Sequence, residues 1–182
     1  MDTQQILPLI LQQDADSELI IGESNRLAVR TVLCEPWMGH VVYLYGEEGC
    51  GKTLLASLWA TKHAALWIDT ALHDAQLTAI TTGAYVLNEL HITEVQYQVQ
   101  LFHLLNIIKE THSQLLLCSR LPPAQLPVTL IDLSSRLRAL QVAHILPPDD
   151  DMLRGLIIQQ LAEKQLRVEA GVIQYLLLRL PR

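Results

Sequence analysis

The chain has 182 residues, which is enough for one α/β domain with a small appendage and too few for two full domains. Its 13 Lys and Arg against 19 Asp and Glu give a net charge of -6 without any basic block, which argues against autonomous DNA binding. Half of the residues are hydrophobic, but no run approaches the roughly 20 apolar residues of a membrane span, and Asp2 stands where a signal peptide would be basic, so we expect a soluble, cytoplasmic protein.

The first 18 residues are expected to form an extended tail. Pro8 interrupts any helix, and the neighbouring Leu7 and Leu9 are unusually apolar for a free terminus. Two interpretations remain open. The segment from Gln4 to Leu9 binds another protein as an extended peptide, or it folds back on its own domain.

Residues 19–63 predict a short helix followed by a strand, a loop and a second helix. Residues 19–21 are expected to form a short strand or turn, and Ser24 or Asn25 caps a helix over 26–33. A first core strand over 40–45 then leads, through a glycine-rich loop, into a helix that reaches about His63.

The glycine-rich loop has the pattern G-x-x-x-x-G-K-T of a P-loop. The residues that would contact a nucleotide there are Gly46, Gly49, Cys50, Gly51, Lys52 and Thr53. Glycines let successive backbone N–H groups turn inward around phosphate oxygens, and a Cβ at Gly46 or Gly51 would obstruct this. Lys52 is expected to reach the β- and γ-phosphates, and the Thr53 hydroxyl to coordinate Mg²⁺. The pattern therefore predicts nucleotide binding, with a glycine-rich turn that binds nothing as the alternative.

The rest of the chain alternates apolar strands with helices. We expect four more strands, over 65–69, 84–89, 114–119 and 141–146, and helices over 71–80, 94–111 and 130–140. The strand over 65–69 should be buried, and the helix over 94–111 should bury one apolar side. That side consists of Val95, Val99, Phe102, Leu105 and Ile108. Such alternation predicts a parallel five-stranded sheet flanked by helices.

Two strand ends carry polar residues that suit a phosphate site. Asn88 and Glu89 stand where nucleotide-binding sheets place an Asp for the Mg²⁺ water shell and an acidic residue that orients the attacking water. Asn88 is neutral, so we expect weakened Mg²⁺ binding or slow hydrolysis, while Glu89 keeps its role. Ser119 ends the strand over 114–119 and can point toward the γ-phosphate. Ordinary strand ends that happen to be polar are the alternative.

Pro147 and Pro148 break the chain before two final helices. Asp149 to Asp151 suit the start of a helix that continues to about Lys164, and a last helix is expected over 169–180. We therefore divide the chain into a tail over 1–18, a nucleotide-binding domain over 19–147 and a partial helical lid over 148–182. Three widely spaced cysteines without a C-x-x-C pair are expected to be reduced and mostly buried.

Five segments of the chain carry a family resemblance. They are IIGESNRLA, YGEEGCGKT, LLLCSRLPP, DLSSRL and QLRV, and they span almost the whole chain from residue 19 on. They are similar to segments of the DnaA/Hda family of AAA+ replication-initiation proteins, with Hda-like regulators as the nearest members. The resemblance implies a P-loop NTPase of the AAA+ type. Its helical lid would be truncated, because the chain stops at RLPR, before the family's sensor 2 arginine.

The resemblance also implies a role for several residues. Gly22 to Asn25 would lie near the adenine of bound ADP or ATP, Asn88 and Glu89 would form the Walker B pair with Mg²⁺, and Ser119 would be sensor 1. Arg136 would be the arginine finger, which in this family reaches the nucleotide of a neighbouring subunit. There a positive group beside the transition-state phosphates raises the rate of hydrolysis ~10³- to 10⁵-fold.

The implied partners are DnaA and the β sliding clamp of DNA polymerase III, with DNA contacted only through the clamp. The family's clamp-binding peptide has the form Q-L-x-L-P-L. Gln4, Leu7, Pro8 and Leu9 match its spacing, whereas Gln5 stands where the first leucine is expected, and a register based on Gln5 is the alternative. A homodimer is compatible with this picture. The sequence thus favours a regulator that promotes hydrolysis of DnaA-bound ATP, with a self-contained P-loop ATPase and a scaffold without nucleotide as alternatives.

Overall fold

The computed structural model describes residues 19–90, 92, 94–163 and 171–174. These residues form two compact units. The larger is Ser24–Pro147, and the smaller contains residues 19–23, 148–163 and 171–174. The predicted N-terminal tail and most of the predicted last helix lie outside the described residues.

The larger unit is built on a five-stranded sheet in which all neighbouring strands run parallel. The strands are β1 (Val41–Tyr45), β2 (Leu66–Ile68), β3 (Ala84–Leu87), β4 (Gln114–Ser119) and β5 (Gln141–His144). Their order across the sheet is β2-β3-β4-β1-β5. The predicted parallel five-stranded sheet is therefore confirmed. Only β4 has its predicted bounds, and the other four strands are shorter by one or two residues.

Helices connect the strands and cover the sheet. They are α1 (Arg26–Val29), α2 (Lys52–His63), α3 (Asp74–Thr78), α4 (Val95–Glu110) and α5 (Ile131–Arg138) in the larger unit, and α6 (Asp150–Glu163) in the smaller unit. A single 3₁₀ turn, Pro123–Gln125, lies between β4 and α5. In the part of the chain that the structure describes, no helix is both long enough and apolar enough to cross a membrane.

The core of the larger unit lies around the central strand β4. Leu115, Leu116, Leu117 and Cys118 are fully buried, because β4 has a neighbour on each side and its side chains are covered on both faces. The sequence of a strand in this position is a continuous apolar run, without the alternation of apolar and polar residues seen in strands that are buried on one face. This explains why its bounds could be predicted without error.

Helix α4 packs with only part of its predicted apolar side, because Leu105 and Ile108 are buried as predicted and two other positions are not. Leu101, Leu104 and Ile108 are fully buried, but Val95 is 59% and Val99 39% exposed. The predicted apolar side was wrong at these two positions because Tyr97 and Gln98 occupy the buried side of the first turn. The apolar pattern alone did not reveal that a polar residue would be buried there.

The prediction that β2 is buried was also wrong. Leu66 is 64% and Trp67 47% exposed, whereas Ile68 is buried. The reason is the strand order, because β2 pairs only with β3 and forms one edge of the sheet.

The first helix ends differently from the predicted helix over 26–33. After Val29 the chain widens into a π-helical turn, Arg30–Cys34, closed by a bond of 2.9 Å from the Glu35 N–H to the Arg30 carbonyl. Glu35 itself is extended, since a residue before proline disfavours the helical conformation, and Pro36 follows.

In the smaller unit, α6 begins where the sequence predicted. The Asp149 carboxylate accepts a hydrogen bond of 2.7 Å from the Met152 N–H, so the predicted capping role is confirmed. Gly155 allows Ile20 to approach α6 closely, since a Cβ at residue 155 would lie 3.3 Å from the Ile20 side chain.

Candidate nucleotide-binding site

The polar residues predicted to bind phosphate follow three adjacent strands. The P-loop follows β1, Asn88 and Glu89 follow β3, and Ser119 ends β4, which lies between them. Because parallel strands all end at the same edge, these groups share one edge of the sheet. Ligands bind at this edge in open α/β sheets.

The P-loop takes the backbone conformation that its glycines permit. Gly49 and Gly51 have φ angles of 78° and 99°, in the left-handed region that side chains disfavour. Gly46 is required for space, since a Cβ there would lie 2.7 Å from the Cys50 sulfur and closer still to the Ile145 carbonyl oxygen. The loop is also tied to β4 by a bond of 3.3 Å from the Gly46 N–H to the Ser119 carbonyl.

Lys52 begins α2 and folds its side chain back over the loop. The ammonium donates to the carbonyl oxygens of Gly46 and Glu47 at 2.8 and 2.6 Å and lies 3.8 Å from the Cys50 sulfur. The residue is only 7% exposed. A buried positive charge is therefore held at the start of a 12-residue helix, whose N-terminal dipole also favours an anion.

Thr53 and Asn88 form the part of the site that suits a cation. The Asn88 amide donates to the Thr53 hydroxyl at 3.4 Å, and the buried amide oxygen of Asn88 has no hydrogen-bond partner among the described residues. Mg²⁺ prefers oxygen ligands, and a nucleotide-bound Mg²⁺ takes most of them from phosphate and water. The two residues therefore fit a Mg²⁺ ion on a nucleotide, although neither supplies negative charge.

Glu89 is held in an unusual conformation beside an arginine. Its φ angle is 69°, and its carboxylate accepts a bond of 3.3 Å from Arg120. The same guanidinium donates to Glu48, at the tip of the P-loop, at 2.7 Å. Arg120 was not among the predicted site residues. Its position directly after the end of β4 was the signal that could have identified it.

Ser119 lies at the predicted edge but is only 4% exposed. Its hydroxyl oxygen accepts from the Leu121 N–H at 3.3 Å, within the turn that follows β4. Tyr43 reaches the same turn and donates to the Leu121 carbonyl at 2.9 Å. Burial raises the pKa of the Tyr43 phenol well above its ordinary value, so the phenol stays protonated and can donate this bond.

The residues expected near the adenine fall in different units. Asn25 is 3% exposed and immediately precedes α1 in the larger unit. Gly22 belongs to the smaller unit, where a Cβ would lie 3.5 Å from the Met152 side chain. Gln4, Leu7, Pro8 and Leu9 of the predicted clamp peptide lie outside the described residues.

Arg136 lies apart from the P-loop on the same unit. It is exposed on α5, where its guanidinium carbon is 4.4 Å from the centroid of the Phe102 ring and it donates to the Asn106 side chain. Helix α5 ends at Arg138, shortly before the first residue of β5. Its C-terminal half is therefore directed toward the amino edge of the sheet, opposite the edge that carries the P-loop.

Comparison with known proteins identifies relatives of this chain. No protein-family model matches it. The chromosomal replication initiator protein DnaA of Gloeothece citriformis is 26% identical over 188 residues, which cover 88% of this chain and 41% of that protein. The chain therefore spans about two fifths of the length of the curated DnaA proteins that it matches.

Solved structures of DnaA share the fold. AMPPCP-bound DnaA from Aquifex aeolicus superposes with a TM-score of 0.74 at 22% identity, covering 87% of this chain and 57% of the other. Domain III of the Thermotoga maritima initiation protein DnaA also gives a TM-score of 0.74, at 18% identity, covering 87% of this chain and 78% of the other. Together with the curated relatives and the P-loop geometry, these matches support the resemblance seen in the sequence. The chain is therefore similar in sequence to DnaA proteins and shares the fold of their solved structures, with a P-loop at the edge of a parallel five-stranded sheet.

Proposed function

We propose that this chain binds ADP or ATP at the P-loop and uses Arg136 to promote hydrolysis of ATP bound to DnaA. It would thus act as an Hda-like regulator of replication initiation. The sliding clamp would hold it through Gln4 and residues 7–9, and DNA would be reached only through the clamp. These partners imply a cytoplasmic location.

The P-loop geometry supports nucleotide binding. Gly49 and Gly51 take left-handed conformations, Gly46 has no room for a side chain, and Lys52 is buried within the loop. The Aquifex aeolicus DnaA structure that shares this fold is bound to AMPPCP. An adenine nucleotide is therefore the ligand we propose.

The neutral side chain of Asn88 favours a chain that binds nucleotide over one that hydrolyses it rapidly. A Walker B carboxylate would bring negative charge to the Mg²⁺ site, and here an amide contacts Thr53 in its place. We propose that nucleotide serves mainly to order the site, while Mg²⁺ is held largely by the phosphates.

The position of Arg136 is the observation that carries the proposed action on DnaA. Its helix is directed toward the sheet edge opposite its own P-loop, so the guanidinium is poorly placed to act in its own chain. It is nevertheless exposed and restrained by Phe102 and Asn106. A positive group that is both exposed and oriented suits a nucleotide held by another subunit.

The test is the rate of ATP hydrolysis by DnaA in the presence of clamp loaded on DNA. The wild-type chain should accelerate hydrolysis, and Arg136→Ala should lose most of that acceleration, since such an arginine is worth ~10³ to 10⁵ in rate. Arg138→Ala is the matched control, because it removes an exposed arginine from the same helix. Equal acceleration by Arg136→Ala and Arg138→Ala would remove the proposed role.

A second candidate is a self-contained ATPase. It is favoured by Glu89, which follows β3 at the P-loop edge as a water-orienting residue would. Steady-state hydrolysis by the isolated chain distinguishes the two functions. Turnover that needs no partner and disappears in Lys52→Ala would favour the ATPase.

A further inference from the structure

We infer that Arg120 selects nucleoside triphosphate over diphosphate by binding the terminal phosphate from within this chain. The inference rests on the proposed nucleotide site and adds a residue to it. The guanidinium of Arg120 contacts two carboxylates at the sheet edge that carries the P-loop. They belong to Glu48, in the P-loop, and to Glu89, which follows β3.

The backbone fixes where Arg120 lies. It directly follows Ser119, which pairs with Tyr45 in the strand register, and the Ser119 carbonyl accepts from the Gly46 N–H at 3.3 Å. The end of β4 is therefore joined to the start of the P-loop. A side chain that leaves β4 at residue 120 extends along the open edge of the site.

The two carboxylates locate the guanidinium more closely. Glu48 lies at the tip of the loop, 2.7 Å from one terminal nitrogen of Arg120, and Glu89 lies 3.3 Å from the other. In a P-loop site the residue at the position of Glu89 faces the water that attacks the γ-phosphate. A guanidinium in contact with that residue is thus on the γ-phosphate side of the site, beyond the β-phosphate.

Neither ion pair is strong enough to keep Arg120 from a phosphate. The three side chains are 54%, 77% and 44% exposed, for Arg120, Glu48 and Glu89, and exposed pairs of this kind contribute little. A terminal phosphate carries more charge and offers paired oxygens that match the two prongs of a guanidinium. The terminal phosphate can therefore replace either carboxylate as the partner of Arg120.

Charge balance explains why the residue is needed. A γ-phosphate would approach the carboxylates of Glu48 and Glu89, and Lys52 is held deeper, over the loop carbonyls. Without Arg120 the added negative charge of a triphosphate would meet two acidic groups. A diphosphate ends before this region, so it should depend on Arg120 much less.

The experiment compares equilibrium binding of ADP and of the non-hydrolysable triphosphate AMPPCP, each with Mg²⁺, to the full chain. Arg120→Ala should weaken AMPPCP binding about tenfold, or about 1.4 kcal/mol, and ADP binding less than about threefold. Arg120→Lys should recover part of the loss, because it restores charge without the two-pronged geometry. Glu48→Gln should strengthen AMPPCP binding, since it removes a competing carboxylate.

The control is Arg138→Ala, which removes an exposed arginine from α5 and should change neither affinity. Equal weakening of ADP and AMPPCP by Arg120→Ala, or no weakening of either, would overturn the role of Arg120 and leave the proposed site intact. Failure of the wild-type chain to bind both nucleotides would overturn the proposed site and this inference together. Thermal unfolding of each variant shows whether a loss of binding reflects a loss of folding.

Discussion

Arg136 lies over the face of Phe102, with its guanidinium carbon 4.4 Å from the ring centroid. Phe102 is on α4 and Arg136 on α5, so the contact joins two helices of the larger unit. An exposed arginine would otherwise sample many rotamers, and ordering it on binding would cost free energy. The ring therefore orients the group that we propose acts on DnaA-bound ATP.

Replacing the ring should weaken this action without removing it. A cation–π contact at an exposed site is worth about 0.5–1 kcal/mol, so Phe102→Leu should lower the acceleration of DnaA hydrolysis roughly two- to fivefold. Affinity of the chain for nucleotide should not change. Val99→Ala, a change at another partly exposed position of α4, serves as the control. Full acceleration by Phe102→Leu would show that Arg136 does not need this contact.

A buried glutamine holds the segment that leads into α5. Gln98 is 2% exposed, and its side-chain oxygen accepts from the Thr129 N–H, the Thr129 hydroxyl and the Leu130 N–H at 2.9, 3.0 and 3.2 Å. Gln98→Leu would leave these donors unsatisfied, so we expect a loss of about 2–4 kcal/mol in the free energy of unfolding. Urea denaturation measures it. Gln96→Leu, at an exposed position of the same helix, should cost far less.

The sequence predicted most of what local patterns determine. The G-x-x-x-x-G-K-T spacing located the strand, loop and helix around Lys52, and the continuous apolar run gave β4 its bounds. These signals are local, because each depends on residues close together in the chain. Element order then gave the parallel sheet.

The features that were missed depend on residues far apart in the chain. Gln98 appeared to be an ordinary polar residue because its partners, Thr129 and Leu130, lie in a loop some thirty positions later. Leu66 was expected to be buried because nothing local shows that β2 is an edge strand. The position of Arg120 directly after β4 is a local signal, but its contacts with Glu48 and Glu89 are not, since these residues come from two other loops.

Gly46 is the glycine of the P-loop with the least space around it. Gly46→Ala would place a Cβ against the Ile145 carbonyl and the Cys50 sulfur, so we expect about 1–3 kcal/mol of destabilisation together with loss of nucleotide binding. Gly39→Ala is the control, since a Cβ there meets nothing within 4 Å. Thermal unfolding and nucleotide titration of both variants check this. Normal nucleotide affinity in Gly46→Ala would contradict the described loop geometry.

Restoring charge at Asn88 should change the dependence on Mg²⁺. Because the amide contacts Thr53 and its buried oxygen has no described partner, a carboxylate in the same place would add negative charge beside the cation. Chelation of Mg²⁺ should weaken nucleotide binding in both proteins. We expect the loss of affinity to be about tenfold larger for Asn88→Asp than for wild type, which corresponds to the interaction energy of one partly exposed charge pair. Asn106→Asp, which makes the same charge change on α4, should respond as wild type does. Equal sensitivity of Asn88→Asp and wild type would exclude Asn88 from the proposed Mg²⁺ site.

The three cysteines should differ sharply in reactivity. Cys50 and Cys118 are buried, in line with the expectation of mostly buried thiols, while Cys34 is exposed. Burial raises the pKa of the Cys118 thiol from 9.0 to about 12, an effect that the charge of Lys52 only partly offsets. At pH 8 a thiol reagent should therefore label Cys34 rapidly in the native chain, and Cys118 only after unfolding. Rapid labelling of Cys118 in the native chain would contradict its placement in the core.

The same thiol should make stability depend on alkaline pH. Between pH 9 and pH 12 the folded chain keeps a proton on Cys118 that the unfolded chain releases, so the stabilisation is fully present below pH 9 and is lost as pH rises. For one proton the loss is about 1.4 kcal/mol per pH unit. Tyr43 acts in the same direction but is present in both proteins, so the difference between wild type and Cys118→Ala isolates the cysteine. Urea denaturation measures the free energy of unfolding of both proteins at pH 9.5 and 10.5. The difference in stability between wild type and Cys118→Ala should change by about 1.4 kcal/mol between these two pH values, to the disadvantage of wild type. A constant difference would show that burial does not raise the pKa of this thiol.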